Sequence, residues 1–153
     1  MKLLLDTTYF LPAIGISVKE IPRNLVIELI RRGYEVLMSE ISIFELSAKG
    51  AKYVVSGALT PVKVSRGIKA LVYDERVRKI PIHEPSILLT AIDLRKLLSD
   101  FIDSLILSSA INRADILVTE DEDIHKVSGK RNFHKIVENI NPRFEVKSIK
   151  EIL

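Results

Sequence analysis

Cysteine and tryptophan are both absent from this chain of 153 residues. Without cysteine there are no disulfides, no thiolate metal sites and no cysteine nucleophile. The same absence fits a reducing compartment or a hot one and does not choose between them. Aromatic residues make up only 6%, so stacking on bases is not a prominent feature. The three histidines, His83, His125 and His134, are too scattered for a structural zinc site. The six glycines and six prolines gather into no linker, and there is no repeat or low-complexity tract. One domain over residues 1–153 is the economical reading. No apolar stretch approaches the roughly 18 residues that cross a bilayer. Met1-Lys2-Leu3-Leu4-Leu5 imitates the start of a signal peptide, but Asp6 interrupts it, where such a segment needs about 7–15 apolar residues. The chain therefore reads as cytoplasmic, with no membrane association.

What is present is the material of a folded protein: 47% hydrophobic and 28% charged residues. The net charge of +3, from 23 basic and 20 acidic side chains, is mild. It permits a polyanionic partner without demanding one. Leu3-Leu4-Leu5 and Ile116-Leu117-Val118 are short, wholly apolar runs, as expected of strands buried on both faces. Glu35 to Met38, Val77 to Ile82 and Phe144 to Lys147 read as further strands. Helices are expected over Pro22 to Arg32, Glu40 to Val55 behind a Ser39 cap, and Pro61 to Tyr73 behind Thr60. Two more are expected over Ser86 to Leu98 and, capped by Ser99, over Asp100 to Asn112. In the helix after Ser39, Ile41, Phe44, Ala48 and Ala51 recur at helical spacing. Pro12 to Pro22 and Ser56 to Pro61 read as loops, and a turn over Ile149 to Leu153 ends the chain. Strands alternating with helices predict an α/β fold with a mostly parallel sheet.

In such sheets ligands sit beyond the carboxyl ends of the strands. Asp6 ends the first apolar run and Asp121 stands three residues after Val118, so two strands deliver an acid to one edge. Either alone is also an ordinary cap or turn residue. Glu45 lies within the helix after Ser39, where a lone glutamate is normally solvated. Asp103 lies in the first turn of a helix, where an acid suits the dipole, yet it shares a face with Leu107 and Ala110 and so points inward or to a rim. Acids gathered at one edge repel one another and hold some members protonated. A hard divalent cation, Mg²⁺ or Mn²⁺, removes that conflict and activates water for attack on a phosphodiester.

The order and context of these residues resemble the PIN-domain ribonucleases, which include the VapC-type toxins of toxin–antitoxin pairs. Leu3-Leu4-Leu5-Asp6-Thr7-Thr8 is similar to the family's opening strand, an apolar run followed by Asp-Thr/Ala-Ser/Asn. Ser42-Ile43-Phe44-Glu45-Leu46 is similar to its second-acid helix. Asp103-Ser104-Leu105-Ile106-Leu107-Ser108-Ser109-Ala110 resembles its Asp-Ala-Leu-Ile-Ala-Ala-x-Ala helix. Leu117-Val118-Thr119-Glu120-Asp121-Glu122-Asp123 resembles Leu-Val-Thr-Asn-Asp-x-Asp-Phe. Each motif is weak alone, but the four in order are specific and cover most of the chain. The resemblance implies a three-layer α/β/α fold and a Mg²⁺- or Mn²⁺-dependent endonuclease acting on single-stranded RNA. It carries catalytic and metal-binding roles onto Asp6, Glu45, Asp103 and Asp121, adds Asp123 as a fifth metal ligand, and makes Thr7, Thr8 and Thr119 supporting polar groups. It further implies a homodimer and, for toxin members, a small antitoxin that masks the site. Glu120 and Ile124 depart from the family's usual Asn or Arg and Phe, which leaves open whether Asp121 or Asp123 binds metal. Asp100 reads as a helix-start acid.

A polyphosphate substrate needs cations nearby. Lys126, Lys130, Arg131 and Lys135 follow the acidic turn, interleaved with His125, Phe133 and His134. Lys49, Lys52, Lys63, Arg66 and Lys69 follow Glu45. Of these, Lys49, Lys126, Lys130 and Arg131 are the RNA-contact candidates, although basic stretches are as often plain solvated faces, and Phe133 suits a core as well as a base. Apolar residues from Ile14 to Ile30 suit either a partner interface or a core. A haloacid-dehalogenase-type phosphatase would need a second aspartate where Thr8 stands. A dinucleotide-binding domain would need a Gly-x-Gly-x-x-Gly that is missing, and an α/β-hydrolase its Gly-x-Ser-x-Gly. The remaining alternative is a PIN-fold scaffold that binds RNA or protein without cutting; loss of a carboxylate would signal it, and all four are present.

Overall fold

The computed structural model describes all 153 residues. Five strands, β1 (Lys2–Leu5), β2 (Glu35–Ser39), β3 (Val77–Ile80), β4 (Ile116–Val118) and β5 (Glu145–Lys147), form one sheet in the order β3-β2-β1-β4-β5. Every neighbouring pair is parallel. Parallel neighbours require crossovers. These are supplied by α1 (Leu25–Arg31), α2 (Glu40–Val55), α3 (Pro61–Tyr73), α4 (Pro85–Leu94), α5 (Phe101–Arg113), α6 (Glu122–Ser128) and α7 (Arg131–Ile140). A 3-10 helix (Thr7–Ile14) follows β1 directly, and α8 (Ile149–Ile152) closes the chain.

The period-2 alternation of the strands sorts their side chains between two cores. Leu4, Leu37 and Leu117 face α4 to α7, meeting Ile87, Ile106, Ile124 and Val137. Leu3, Leu5, Val36, Met38, Ile116 and Val118 face the opposite layer, meeting Phe10, Leu25, Leu46 and Ile149. Burial on both faces is why Leu3 to Leu5 of β1 and all of β4 are apolar, Lys2 being exposed at the start of β1. The result is the three-layer α/β/α arrangement expected of the sequence, with a sheet that is wholly parallel.

Several boundaries differ from the expectations. The first helix starts at Leu25 rather than Pro22, because Arg23 and Asn24 form a turn. Helix α4 ends at Leu94, where Leu97 and Leu98 both donate back to the Leu94 carbonyl and tighten the last turn. The cap of α5 is Asp100, not Ser99: its Oδ1 accepts from the Ile102 amide at 2.8 Å. Strand β3 stops at Ile80 before Pro81, which has no N–H to continue the ladder. Part of the expected Pro12–Pro22 loop belongs to the 3-10 helix, held by the burial of Tyr9, Phe10, Leu11 and Ile14. Helix α3 passes directly over the end of that 3-10 helix at Gly67, where a Cβ would sit 2.2 Å from the Ala13 carbonyl oxygen. This contact fixes the α2–α3 hairpin beside the site edge.

Candidate active site

The sheet changes direction at the β1–β4 pair, with β2 and β3 to one side and β5 to the other. At such a switch point the connections leave toward opposite faces and open a crevice at the carboxyl ends of the strands. Asp6 follows β1 at that point, and Thr119 to Asp121 follow β4. The two strand ends are stitched together there, with the Asp6 amide donating to the Val118 carbonyl at 3.0 Å.

Asp6 caps the 3-10 helix, its Oδ1 accepting from the Thr7 amide at 2.7 Å. Its Oδ2 accepts from the Thr119 hydroxyl at 2.6 Å. Thr119 is fully buried, and the same hydroxyl oxygen accepts from the Asp121 amide at 3.1 Å. One threonine thus ties together the acids of two strands. On the other side of Asp6, the Thr7 hydroxyl donates to Glu45 Oε1 at 2.6 Å and lies 2.8 Å from Ser42 Oγ. A hydroxyl has one hydrogen, so Ser42 supplies the other contact. Asp121 caps α6 through Oδ1, which accepts from the amides of Asp123 (2.8 Å) and Ile124 (3.1 Å). Asp103 stands in the first turn of α5, half-buried. Asp123 is exposed on α6, where it lines a polar cavity of about 390 Å³ together with Asp103, Lys126 and Lys130.

The electrostatics show how close these acids stand. Burial pushes the Asp6 carboxyl above its ordinary range; hydrogen bonds from Thr119 and Thr7 oppose the shift and the Asp121 charge adds to it. Burial likewise raises Glu45, with Thr7 opposing and Asp6 reinforcing. Asp103 is pushed up to about 7, first by burial and then by the charges of Asp100, Asp121, Asp6 and Glu45. Lys49 is the cation that acts on Asp6 and Glu45. Four elements therefore bring four carboxylates into one another's field, with Lys49 offsetting Asp6 and Glu45 and with Lys126 and Lys130 lining the cavity beside Asp103. The side chains do not close on one point, and no three acids or histidines stand at mutual ligand spacing. The donor set is nevertheless all oxygen, partly desolvated and short of positive charge, which is the chemistry a hard divalent cation suits.

Other candidates are placed differently. Arg131 opens α7 and is exposed, outside the polar cavity that Lys126 and Lys130 line. Phe133 is a core residue beside Phe144. Phe44, expected on the apolar face of α2, is 61% exposed; the buried line of that helix is Ser42, Leu46 and Gly50. Ile14, Leu25 and Leu29 of the Ile14–Ile30 segment are core, Ile16, Val18, Ile21, Val26 and Ile30 pack half-buried against it, and Ile27 is exposed. An exposed apolar surface lies along the α2–α3 hairpin, in a groove of about 710 Å³ lined by Ala51, Val54, Val55, Val64, Ile68 and Val72.

Ser42, Tyr9, Glu120 and His125 were not expected as site residues; Glu120 figured only as a departure from the family pattern and His125 only within a basic stretch. Ser42 had a readable signal, since it lies one helical turn before Glu45. His125 had none: its Nε2 lies 2.8 Å from the Thr119 carbonyl, which makes it the protonated nitrogen and pins that peptide.

The PIN domain family model matches residues 3–130. Among solved structures, the chain is similar to one of VapBC2 from Rickettsia felis bound to a DNA fragment from their promoter. That match has 19% identity and a TM-score of 0.61, over 97% of this chain and 98% of the other. A chain of DNA-bound VapBC from Salmonella typhimurium matches with 17% identity and a TM-score of 0.54, over the same shares. No curated protein sequence matches. At such identities the structural likeness speaks for the fold, and it agrees with the match along the sequence. The chain belongs to the PIN-domain family.

Proposed function

We propose that this protein is a Mg²⁺- or Mn²⁺-dependent endoribonuclease acting on single-stranded RNA, with Asp6, Glu45, Asp103 and Asp121 as its catalytic carboxylates. The observation that carries the reading is their convergence from β1, α2, α5 and the β4–α6 loop with Lys49 as the offsetting cation. These four would hold the metal, with Asp123 at the rim. When bound, the metal supplies an activated water and offsets charge on the phosphodiester. The chain's own residues prepare the site. Thr119 and Thr7 hold Asp6 and Glu45 in fixed orientations, so no rearrangement is needed when charge develops. The raised carboxyl of Asp103 marks the repulsion among these acids that a bound cation would relieve. Lys126 and Lys130, beside Asp103, are placed to take phosphates flanking the scissile bond.

Labelled RNA incubated with Mn²⁺ is expected to be cut by the wild type. Asp6→Asn and Asp103→Asn should lose at least about 100-fold, more than the 10–100-fold typical of groups that only support a ligand. Equal cleavage by all three proteins would sink the assignment. Binding without cleavage by the wild type would identify a scaffold.

The same reading makes the protein the cytoplasmic toxin of a toxin–antitoxin pair, supported by the named VapBC assemblies and by the α2–α3 groove. From Leu46 to Tyr73 the hairpin carries Lys49, Lys52, Lys63, Arg66 and Lys69 and no acid, so its antitoxin would present an apolar segment flanked by acids. The exposed Leu89 and Ile92 of α4 support a homodimer, readable as twice the chain mass in sedimentation.

A further inference from the structure

Glu120 belongs to neither the carboxylate set nor the core, yet its side chain reaches two other elements of the fold. Its Oε1 accepts from the Tyr9 hydroxyl at 2.7 Å and from the Ile149 amide at 2.9 Å. Tyr9 is 2% exposed and sits three residues beyond Asp6. Ile149 is the first residue of α8, buried against the same core. A single oxygen therefore joins the 3-10 helix, the β4–α6 loop and the C-terminal helix.

Two direct links already hold Asp6 against this loop: its own amide to Val118, and the Thr119 hydroxyl to its carboxylate. Both lie on the β4 side of Glu120. Beyond Glu120, Asp121 is itself the cap of α6 and is bonded to Thr119 and to its own helix. Without an anchor at position 120, the loop could pivot on Thr119 and carry Asp121 with it. An aspartate here would be one methylene shorter, and an asparagine equally short and without charge.

We infer that Glu120 is a positioning residue: by clasping Tyr9 and the Ile149 amide it fixes the loop that presents Asp121, and makes α8 part of the framework of the carboxylate site. The inference rests on the nuclease reading for its effect on turnover but not for its effect on metal binding. Its bonded oxygen serves two donors, and the Glu120→Gln variant separates this role from direct metal ligation.

The test compares Glu120→Ala, Glu120→Gln and Tyr9→Phe in the full chain. Three readouts apply: Mn²⁺ affinity by calorimetry, amide hydrogen exchange at Asp121 and Ile149, and RNA cleavage. Glu120→Ala should weaken Mn²⁺ binding and lower kcat by about 10–100-fold, as loss of a group behind a ligand does, with KM within about twofold. Exchange at Asp121 and Ile149 should quicken together. Glu120→Gln keeps the acceptor oxygen and should rescue all three, which a metal-ligating Glu120 would not allow. Tyr9→Phe removes one bond, leaves the ring in the core, and should fall between; it carries the test if the alanine variant does not fold. Wild-type protein that binds Mn²⁺ but cuts no RNA defeats the nuclease reading, and the first two readouts still decide the clasp. Mn²⁺ affinity and exchange unchanged in both Glu120→Ala and Tyr9→Phe would overturn it, as would failure of Glu120→Gln to restore them.

Discussion

The switch-point crevice and the α2–α3 groove share helix α2 and are opposites in kind. In the crevice, polar groups are buried and bonded, and what is short is positive charge. Along the hairpin, apolar groups are exposed, with Val55 at 89% and Tyr73 at 73%, and what is short is cover. One region is unbalanced in electrostatics and the other in burial. Each is cured by something from outside: a cation in the first, an apolar partner surface in the second. A stable monomer needs neither feature, so both point to function.

The sharpest way to break this contrast is to disturb the crevice without touching its charge. Thr119→Val keeps the shape and removes the hydroxyl that serves Asp6 and Asp121. Cleavage should fall about 10–100-fold with the fold retained by circular dichroism. A change below about twofold would mean that the carboxylates hold their own positions.

The next effect separates repulsion from packing. The folded pKa of Asp103 lies above its unfolded value. The folded state therefore binds more protons than the unfolded between roughly pH 4 and 7, and metal-free stability declines as pH rises through that window. Removing the charge should reverse this. Asp103→Asn is expected to melt roughly 3–6 °C above wild type at pH 8 without metal, and to converge with it near pH 4. Saturating Mn²⁺ should raise the wild type and not the variant. A variant that melts lower at pH 8 would show that the crevice is not charge-strained.

The smallest effect belongs to the groove. Val55→Lys should change stability by less than about 0.5 kcal/mol, as an exposed position does, and leave RNA cleavage alone. It should reduce the fluorescence of a hydrophobic dye bound to the free chain. Undiminished dye binding would place the exposed apolar surface elsewhere.

These regions also differ in how far the sequence announced them. Leu3-Leu4-Leu5 and Ile116-Leu117-Val118 declared the two central strands because double burial leaves only apolar residues, and Asp6 and Asp121 then marked their ends. Glu45 and Asp103 were legible through motif context. What links these acids was less so. A hydroxyl such as that of Ser42 looks the same on a surface and in a buried network, and Glu120 and His125 find their partners at Tyr9, Ile149 and Thr119 only in three dimensions. Helices α6 and α7 went unread because a short acidic run and a basic stretch mask their apolar positions, Ile124, Val127, Phe133 and Val137. The groove was invisible for another reason. Phe44 and Val55 fit a helical apolar pattern, and a pattern does not say which helix lacks a neighbour.

The pairing of β1 with β4 carries a consequence in time. Leu5 is set opposite Val118, so the crevice has no floor until residue 118 has been made. A chain leaving the ribosome holds Asp6 and Glu45 early, but their companions at 103 and 121 arrive late, and a sheet with so distant a pairing is among the slower things to form. Whatever reaction the crevice performs, the chain is not competent for it before residues 118 to 121 have been made and have paired with the first strand.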